Sequence, residues 1–361
     1  MSKRFLIAGG GTGGHIFPAI AIAQELKRQL PDASFLFVGA KGKMEMEKIP
    51  QAGFEIKGLD IAGFNRSSLI KNIALPFKLI KSFLQVRSII KKFRPDAVIG
   101  VGGYSTYPVL RSAQLKGIPT FIHEANAYAG KSNRLLARRA VKVFTGTDGM
   151  DIFFPKDKII ITGNPVRRSI MGQHDEALKK FGLSNGKCTL LVIGGSLGAV
   201  SINQAIAEGL ERLLSNDIRL IWQTGKPYAG IAKKLVDGKG GIWVNEFITD
   251  MGSAYAAADV VVSRAGAMSV AEISLVAKPA IFVPYPFAAE DHQTSNAMNL
   301  VAKNAAMSLK DKDVKDRLID MVLALAENEI ERKEISRNLS LLGVDDADVR
   351  IANEIIKVIG S

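Results

Sequence analysis

The sequence predicts a doubly wound α/β fold made of two nucleotide-binding-type halves. Short apolar runs rich in Val, Ile and Phe alternate with helix-length stretches, and the runs show little polar alternation. This pattern is typical of parallel strands that are covered on both faces. A glycine-rich turn follows the first predicted strand of each half, at residues 9–14 and 194–199. A chain of 361 residues is also too long for one ordinary core, so two domains are expected.

The predicted elements follow one another in strand–helix order. Strands are predicted at residues 5–8, 34–38, 97–101, 120–123, 142–144, 158–161, 189–193, 219–223, 241–244, 260–263 and 280–283. Helices are predicted over residues 18–29, 201–214 and 269–276, and the tail after Asp311 is expected to be helical. The Gly-Asn-Pro turn within residues 162–167 predicts a domain boundary. We therefore expect an N-terminal domain over 1–163, a C-terminal domain over 164–340 and a final helix within 341–361.

Composition indicates a folded globular protein, because 47% of the residues are hydrophobic and 23% are charged. The single cysteine, Cys188, excludes an internal disulfide framework and a cysteine-based zinc cluster. We find no signal peptide and no run of about 18 apolar residues, so a cytoplasmic protein without a transmembrane segment is expected. Residues 1–163 hold 25 Lys and Arg against 11 Asp and Glu, within a net charge of +13. This asymmetry predicts an anionic partner for the first half, either nucleic acid or anionic lipid on charge alone.

The first glycine loop, residues 9–14, has the G-x-G-x-x-G spacing and is followed at once by His15. Glycines let the backbone approach an anion, and the next helix presents its N–H groups to it. A nicotinamide- or flavin-binding fold would also have an acidic residue at the end of the second strand, where this chain has Lys41. The dinucleotide interpretation is weakened, although a residue that binds a 2′-phosphate would explain Lys41. His15 is the candidate general base.

Two turns in the second half repeat this design. The second glycine loop, residues 194–199, carries Ser196, which can donate to a phosphate oxygen. After the strand at residues 260–263, a helix is expected to begin near Ala267, and its first N–H groups suit a diphosphate. Glu272 follows in that helix. Because a carboxylate repels phosphates, Glu272 is better explained as a residue that binds neutral hydroxyls, such as those of a ribose.

Polar residues also follow the last strand, where two prolines force an extended loop. Asp291 is a candidate N-cap of the next helix. His292, Gln293 and Asn296 provide the mixture of donors and acceptors that sugar hydroxyls need.

In the first half, the stretches Gly102-Gly103-Tyr104 and His123-Glu124-Ala-Asn126 each follow a predicted strand. They are therefore expected at the same sheet edge as the first glycine loop, which is where open α/β sheets bind ligands.

Residues 69–94 differ from the rest, since they combine seven basic residues with thirteen Leu, Ile, Phe and Val residues and contain no acidic residue. The pattern fits either a core-facing helix with a solvated basic side or a surface that lies on anionic lipid.

No metal site is predicted. The Asp-x-Asp spellings at Asp311 and Asp346 both lie in late polar segments rather than at strand ends. Backbone amides and basic side chains are therefore expected to neutralise the diphosphate.

Taken in order, these blocks resemble the MurG family of bacterial N-acetylglucosaminyltransferases nearly from end to end. The blocks are Gly10-Gly-Thr-Gly-Gly-His15, Gly102-Gly-Tyr104, His123-Glu-Ala-Asn126, Gly163-Asn-Pro-Val-Arg167, Gly194-Gly-Ser-Leu-Gly-Ala199, Glu246-Phe-Ile248, Ser263-Arg-Ala-Gly266 and Asp291-His-Gln293. The resemblance implies a GT-B glycosyltransferase fold, in which two Rossmann-like domains with parallel sheets face each other across a cleft. It also implies a final helix that packs back on the N-terminal domain. The implied reaction moves N-acetylglucosamine from UDP-GlcNAc to the muramyl C4 hydroxyl of lipid I, with inversion, and gives lipid II for peptidoglycan synthesis.

The resemblance further implies roles for individual residues. His15 would be catalytic, and Gly102, Gly103 and Tyr104 would lie on the acceptor side. The donor-binding residues would be Thr12, Gly13, Gly14, Asn126, Arg167, Ser196, Ile248 (through its backbone, to the uracil), Ala267, Met268, Ser269, Glu272 (to the ribose) and Gln293. The membrane-facing residues would be Lys71, Phe77, Lys78, Lys81, Phe83, Leu84 and Arg87. No cofactor is implied. The protein would act at the cytoplasmic face of the membrane, on an anionic lipid surface, with other proteins of cell-wall synthesis and cell division as further partners.

Other functions remain open at this point. A UDP-GlcNAc epimerase or a UDP-sugar-dependent glycolipid synthase could share the fold. A dinucleotide-dependent oxidoreductase lacks the acidic residue expected after the second strand. A nucleic-acid binder would show aromatic residues interleaved with the basic ones, and this chain shows few.

Overall fold

The computed structural model describes residues 2–61, 75–166, 173–184, 186, 188–195 and 197–360. Of the predicted site residues, Lys71, Arg167 and Ser196 lie outside the described residues. The chain forms two compact units, which consist of Met1–Val166 with Asp346–Ser361 and of Arg167–Asp345. The chain thus passes from the first unit to the second within the predicted 162–167 turn and returns to the first unit at Asp346.

The first unit is a parallel sheet covered by helices. Its strands are β1 (Arg4–Ala8), β2 (Ser34–Ala40), β3 (Glu55–Leu59), β4 (Ala97–Gly100), β5 (Thr120–Glu124), β6 (Lys142–Thr145) and β7 (Ile159–Ile161). Its helices are α1 (Gly13–Gln29), α2 (Glu45–Gln51), α3 (Leu75–Phe93), α4 (Thr106–Leu115), α5 (Lys131–Ala137) and, from the end of the chain, α15 (Ala347–Gly360). The strand order is β3-β2-β1-β4-β5-β6-β7, and neighbouring strands in this order run parallel.

Both faces of this sheet are buried, as the apolar runs predict. In β1, Phe5 and Ile7 belong to one core cluster, and Leu6 and Ala8 belong to the other, because successive side chains of a strand point to opposite faces. The first of these clusters includes Ile351 and neighbouring apolar residues of α15. The C-terminal helix is therefore part of the core of the first unit.

The second unit repeats the architecture. Its strands are β8 (Cys188–Ile193), β9 (Ile218–Gln223), β10 (Ile242–Asn245), β11 (Val260–Ser263), β12 (Ala280–Phe282) and β13 (Met307–Ser308). Its helices are α6 (His174–Lys180), α7 (Val200–Glu208), α8 (Leu210–Ser215), α9 (Lys226–Leu235), α10 (Met251–Ala257), α11 (Ala267–Leu275), α12 (His292–Val301), α13 (Val314–Glu327) and α14 (Glu329–Ser340). The strand order is β10-β9-β8-β11-β12-β13, and neighbouring strands are again parallel.

The structure departs from the sequence pattern in three ways. Strands β3 and β13 were not predicted, because β3 is a partly polar edge strand and β13 has only two residues. The predicted helix over 201–214 is two helices separated at Gly209, where an added Cβ would collide with Ile319 of α13. Helix α1 begins at Gly13 rather than at residue 18, because the N–H groups of His15 and Ile16 already bind the Thr12 carbonyl.

Among the described residues, no helix combines the length and the apolar character that crossing a membrane requires.

Candidate active site

In each unit, the described candidates for catalysis and donor binding lie in loops that follow parallel strands or in the helices that these loops lead into, at the carboxyl edge of the sheet. In the first unit these loops follow β1, β4 and β5. In the second unit they follow β8, β10, β11 and β12.

The loops after β1 and β4 are in direct contact. The N–H of Gly10 donates to the carbonyl of Gly102 over 3.3 Å. Gly103 has a φ of +90°, and a Cβ there would collide with the carbonyl of Gly10. Because the two backbones approach this closely, position 103 accepts only glycine without strain.

His15 lies in the first turn of α1, and its ring is held by this pair of loops. Its Nδ1 is 3.1 Å from the carbonyl oxygen of Gly10 and 3.5 Å from the Thr12 hydroxyl. A carbonyl oxygen only accepts, so Nδ1 donates this hydrogen bond, and in the neutral ring the lone pair is therefore on Nε2. An added Cβ at Gly102 would lie 2.7 Å from Nε2, so glycine at this position leaves room for the ring. This is the tautomer that a base acting through Nε2 requires.

The residue that sequence reasoning missed in this unit is Glu45, the first residue of α2. Its side chain is 1% exposed. Its Oε2 accepts from the N–H of Gly11 over 2.8 Å, and its Oε1 accepts from the N–H of Ala40 over 3.0 Å. The end of β2 lacks the acidic residue that dinucleotide-binding folds have there. Glu45 instead supports the first glycine loop through hydrogen bonds within the unit. From the sequence, Glu45 and Glu47 are equally good candidates for this contact. They differ in which side of α2 they occupy, because Glu45 is buried and Glu47 is exposed.

Lys41, which a dinucleotide fold could use for a 2′-phosphate, is paired instead. Its Nζ lies 2.7 Å from an oxygen of Asp60, whose other oxygen lies 2.8 Å from Nζ of Lys81. Hydrogen bonds from the two lysines hold the pKa of Asp60 well below its usual range. This pairing removes the structural argument for a 2′-phosphate site at Lys41.

The loop after β5 is organised by Glu124. Its carboxylate accepts from the backbone and side-chain N–H groups of Asn126, the N–H of Gly130 and the side chain of Asn133, at 2.9–3.2 Å. Glu124 is buried, and these hydrogen bonds fix the position of Asn126 at the sheet edge.

His123, one residue earlier, is fully buried. Burial lowers the pKa of His123 to about 4, and the charge of His15 acts in the same direction, while the polar atoms of Gly163 and Asn164 partly offset both. His123 is therefore neutral near pH 7. On the acceptor side that the resemblance implied, Tyr104 is exposed after the Gly102–Gly103 turn.

In the second unit, Gly195 and Gly198 of the second glycine loop have φ values of +81° and +77°. Gln223 donates from Nε2 to the carbonyl of Gly195 over 3.0 Å. An added Cβ at Gly198 would collide with the carbonyl of Thr224. The loop is thus packed against the end of β9 as it enters α7.

Helix α11 begins at Ala267, as the sequence predicts, with Gly266 at its N-cap. Because Gly266 has no side chain, no N-cap group competes for the first-turn amides of Ala267, Met268 and Ser269. Such a helix terminus is suited to bind an anion.

Glu272 lies on the same helix, and the buried hydroxyl of Tyr255 donates to its Oε2 over 3.0 Å. Burial, followed by the charge of Glu272, raises the pKa of Tyr255 well above its ordinary value, so Tyr255 stays a donor. This hydrogen bond fixes the Glu272 carboxylate one turn beyond the helix N-terminus.

Arg264 was not assigned a role from the sequence, but it connects four segments of this unit. It donates to Asp311 over 2.5 Å, to Ser201 of α7 over 3.1 Å and to the carbonyls of Val283 and Pro284 over 3.2 and 3.3 Å. Its guanidinium also lies 5.6 Å from the ring centroid of Tyr285. Asp311, which belongs to one of the two Asp-x-Asp sequences, therefore forms an ion pair with Arg264.

The loop before α12 is held by Gln293, whose Oε1 accepts from the N–H of Tyr285 over 2.9 Å. The amide NH₂ of Gln293 is the donor end of this side chain. Asp291 occupies the N-cap position, as predicted, but has a φ of +54°, and its side chain accepts from the Thr294 hydroxyl instead of a backbone N–H. Ile248, after β10, has a buried side chain.

Helix α3 exposes its N-terminal half. Phe77 and Leu84 are 73% and 62% exposed, and Lys78, Lys81 and Arg87 are exposed beside them. Phe83 differs from the other residues that the resemblance placed at the membrane, because it is half-buried and its ring meets Tyr107 of α4 edge-on at 6.3 Å. Phe83 therefore packs within the unit, and the exposed face consists, among the described residues of this set, of Phe77, Lys78, Lys81, Leu84 and Arg87. In the described part of the chain, no group of three or more His, Cys, Asp or Glu could hold a metal ion.

Comparisons with known proteins identify the family of the chain. The glycosyltransferase family 28 N-terminal domain matches residues 5–145, and the family 28 C-terminal domain matches residues 189–351. A protein of Phocaeicola vulgatus named UDP-N-acetylglucosamine–N-acetylmuramyl-(pentapeptide) pyrophosphoryl-undecaprenol N-acetylglucosamine transferase is 49% identical, and the match covers 98% of this chain and 96% of that protein.

Among solved structures, MurG of Acinetobacter baumannii superimposes with a TM-score of 0.83 at 29% identity, covering 98% of this chain and 99% of that one. A UDP-N-acetylglucosamine 2-epimerase gives a TM-score of 0.66 at 14% identity, covering 100% of this chain and 97% of that one, and at that identity it shares only the fold. The two parallel sheets, the two family 28 domains and the near-complete coverage by MurG proteins together establish a GT-B fold, and the chain belongs to the MurG family of glycosyltransferases.

Proposed function

We propose that this protein transfers N-acetylglucosamine from UDP-GlcNAc to the C4 hydroxyl of the muramyl sugar of undecaprenyl-pyrophosphoryl-MurNAc-pentapeptide (lipid I), forming lipid II with inversion at the anomeric carbon. The observation that carries the proposal is the 49% identity to a transferase of that name across 98% of the chain. The carboxyl edges of both sheets hold groups suited to the two halves of this reaction.

The second unit would bind the donor. The N-termini of α7 and α11 suit the diphosphate, and arrays of backbone amides stabilise phosphate charge without a bound cation. Glu272, fixed by Tyr255, would accept hydrogen bonds from the ribose hydroxyls. The backbone of Ile248 would bind the uracil, and the Gln293 amide would bind the sugar.

The remaining donor contacts stay proposals from the resemblance alone. They are Thr12, Gly13, Gly14, Asn126, Arg167, Ser196, Ala267, Met268 and Ser269.

The first unit would supply the base. In a single displacement, Nε2 of His15 takes the proton of the acceptor hydroxyl while that oxygen attacks the anomeric carbon. The bond from the anomeric carbon to the UDP oxygen breaks, and the electron pair leaves with UDP. Amides at the helix N-termini and the Arg167 side chain would stabilise the growing charge on the diphosphate.

The activity is tested with labelled UDP-GlcNAc and three acceptor conditions: lipid I, diacylglycerol and no acceptor. Labelled lipid II in the first condition alone supports the proposal. A labelled diacylglycerol product would indicate a glycolipid synthase instead, and an altered sugar nucleotide without acceptor would indicate an epimerase.

The base is tested with His15→Ala. Loss of general base catalysis typically lowers kcat by about 10²–10⁴-fold, whereas UDP-GlcNAc binding is expected to change little. Turnover near that of the wild type would remove His15 from this role.

We also propose that the exposed face of α3 lies on anionic lipid at the cytoplasmic side of the membrane. Helix α3 has apolar side chains that reach solvent and no acidic residue, and this combination binds lipid surfaces through buried apolar area and charge. Lys71, Lys78 and Arg87 would meet the lipid headgroups, and Lys81 would lie beside them while it keeps its ion pair with Asp60.

Binding to vesicles with and without anionic lipid tests this surface. The double variant Phe77→Ser and Leu84→Ser is expected to bind weakly. A control, Leu341→Ser, changes an equally exposed leucine (78%) in the second unit and should bind like the wild type. Equal binding of both variants would contradict the assignment of α3.

A further inference from the structure

We propose that Glu45 is a positioning residue for His15 and that it acts through the peptide group between Gly10 and Gly11. This inference rests on the proposed role of His15 as the base. It concerns a side chain that lies outside the motifs from which the site was predicted.

The geometry places a carboxylate and an imidazole at opposite ends of one peptide plane. The N–H of that plane, from Gly11, donates to Oε2 of Glu45 over 2.8 Å. The carbonyl of the same plane, from Gly10, lies 3.1 Å from Nδ1 of His15. A second oxygen of Glu45 accepts from the N–H of Ala40 over 3.0 Å, so the carboxylate cannot rotate away without losing two hydrogen bonds.

The contact is tight as well as directed. An added Cβ at Gly10 would collide with the Glu45 carboxyl group, and one at Gly39 would lie 2.5 Å from Cγ of Glu45. The glycines of β2 and of the first loop therefore admit the side chain to this position. Because Glu45 is buried, solvent does not screen its charge from the loop.

The physical consequence is a polarised peptide. A hydrogen bond to an ionised acceptor is stronger than a neutral one, and successive hydrogen bonds strengthen one another. Electron density withdrawn from the N–H bond of Gly11 toward the carbonyl of Gly10 makes that oxygen a better acceptor for Nδ1–H. The carboxylate thus favours the tautomer with a lone pair on Nε2 and stabilises the imidazolium that forms when Nε2 takes a proton.

The other groups near His15 do not substitute for this charge. His123, on β5, interacts electrostatically with His15. Burial lowers the pKa of His123 to about 4, so His123 is neutral near pH 7. The Thr12 hydroxyl at 3.5 Å is uncharged. Glu45 of α2 is an anionic group that a described chain of hydrogen bonds connects to the imidazole.

The test compares Glu45→Gln and Glu45→Asp with Glu47→Gln in the full-length protein. Glu47 lies on the same helix, is exposed and pairs with Lys48 and Gln51. The chain has four histidines, so ¹⁵N-labelled histidine and a His15→Gln reference spectrum identify the His15 ring. The readouts are the tautomer and titration midpoint of that ring, and the pH dependence of kcat/KM with lipid I.

We expect Glu45→Gln to lower the midpoint of the His15 ring and to move the acidic limb of the kcat/KM profile to lower pH by the same amount. At its plateau, kcat should fall about 10-fold or more, as for other residues that orient a functional histidine, with KM for UDP-GlcNAc nearly unchanged. Glu45→Asp keeps the negative charge but has a shorter side chain, so it should lower the titration midpoint of the His15 ring by a smaller amount. Glu47→Gln should match the wild type.

An unchanged ring midpoint and tautomer in both Glu45 variants, with only a lower melting temperature, would overturn the proposal and leave Glu45 as a support for the loop. A changed titration midpoint of the His15 ring with an unchanged pH dependence of kcat/KM would support the coupling between Glu45 and His15 and refute His15 as the base. If Glu45→Gln does not fold, the tautomer and titration midpoint of the His15 ring in Glu45→Asp still test the proposal.

Discussion

The Arg264–Asp311 pair yields a sharp stability prediction. Asp311→Asn removes the charge that faces Arg264 while keeping the size of the side chain. The guanidinium would still donate to Ser201 and to the carbonyls of Val283 and Pro284. We expect the second unit to be destabilised without loss of its fold.

The magnitude follows from the exposure of the two side chains, which is 12% for Arg264 and 24% for Asp311. Exposed ion pairs are worth about 0–1 kcal/mol, and breaking a fully buried pair costs about 3–5 kcal/mol. This partly buried pair, with three other hydrogen bonds retained on the arginine, should contribute about 2 kcal/mol. For a unit of roughly 180 residues, that loss lowers the melting temperature by about 4–8 °C.

The assay is calorimetric unfolding of the full-length protein, with and without UDP. Asp313→Asn is the matched control, because it makes the same charge change two residues along in the same turn, and none of the described hydrogen bonds connects Asp313 to Arg264. It should melt within about 1 °C of the wild type. UDP binding should weaken in Asp311→Asn, since Arg264 also holds Ser201 of α7 and the loop at Tyr285. Equal melting of the two variants would refute the reasoning.

Three further predictions concern the two sheet edges. Tyr255→Phe removes the donor to Glu272, so KM for UDP-GlcNAc should rise about 3–10-fold while kcat changes less; an unchanged KM would argue against Glu272 as the ribose ligand. Gly103→Ala places a Cβ against the Gly10 carbonyl at a φ of +90° and should destabilise the first unit by about 2 kcal/mol or more in urea unfolding. His123 has a pKa of about 4 against an ordinary 6.5, so the unfolded chain takes up a proton that the folded protein does not. Stability should therefore fall as pH drops from 6.5 to 4, by up to about 3 kcal/mol, and should lose no more from this group at lower pH.

Each of these has a control. Tyr228→Phe removes a tyrosine hydroxyl of the second unit that no described hydrogen bond connects to Glu272, next to the Trp222 ring, and should leave KM unchanged. For Gly103, Gly117→Ala has a similar positive φ but open space around an added Cβ, so it should cost less. For His123, Phe121→Leu in the same strand should lower stability equally at all pH values, whereas His123→Gln should flatten the pH dependence. A pH slope that survives His123→Gln would point to other groups.

Much of the fold could be predicted because the apolar runs of buried parallel strands are continuous. The start of α11 at Ala267 and the glycine loops after β1 and β8 were identified from a strand followed at once by glycine and a helical pattern. Strand β3 alternates charged and apolar residues at a sheet edge, so its sequence resembles a loop. The division of the predicted 201–214 helix at Gly209 depends on Ile319, which is distant in sequence.

Within the candidate site, the sequence indicated candidate residues from their type and spacing, such as His15 and Glu272, and their roles remain proposals. It could not find their supports. Glu45 and Gly11 are 34 residues apart, and Arg264 and Asp311 are 47 apart. No local pattern connects such pairs, because the contact exists only once separate elements are packed together.

Local order along the chain was enough to define two α/β units, to place a glycine loop after the first strand of each unit, and to indicate the family. These features depend on the period of apolar residues and on backbone conformations that glycine permits. Tertiary structure alone decided which of Glu45 and Glu47 reaches the first loop, that Lys41 is paired with Asp60, and that Asp311 faces an arginine. A buried charge is stable only beside a suitable partner, and packing, rather than sequence neighbourhood, brings that partner to it.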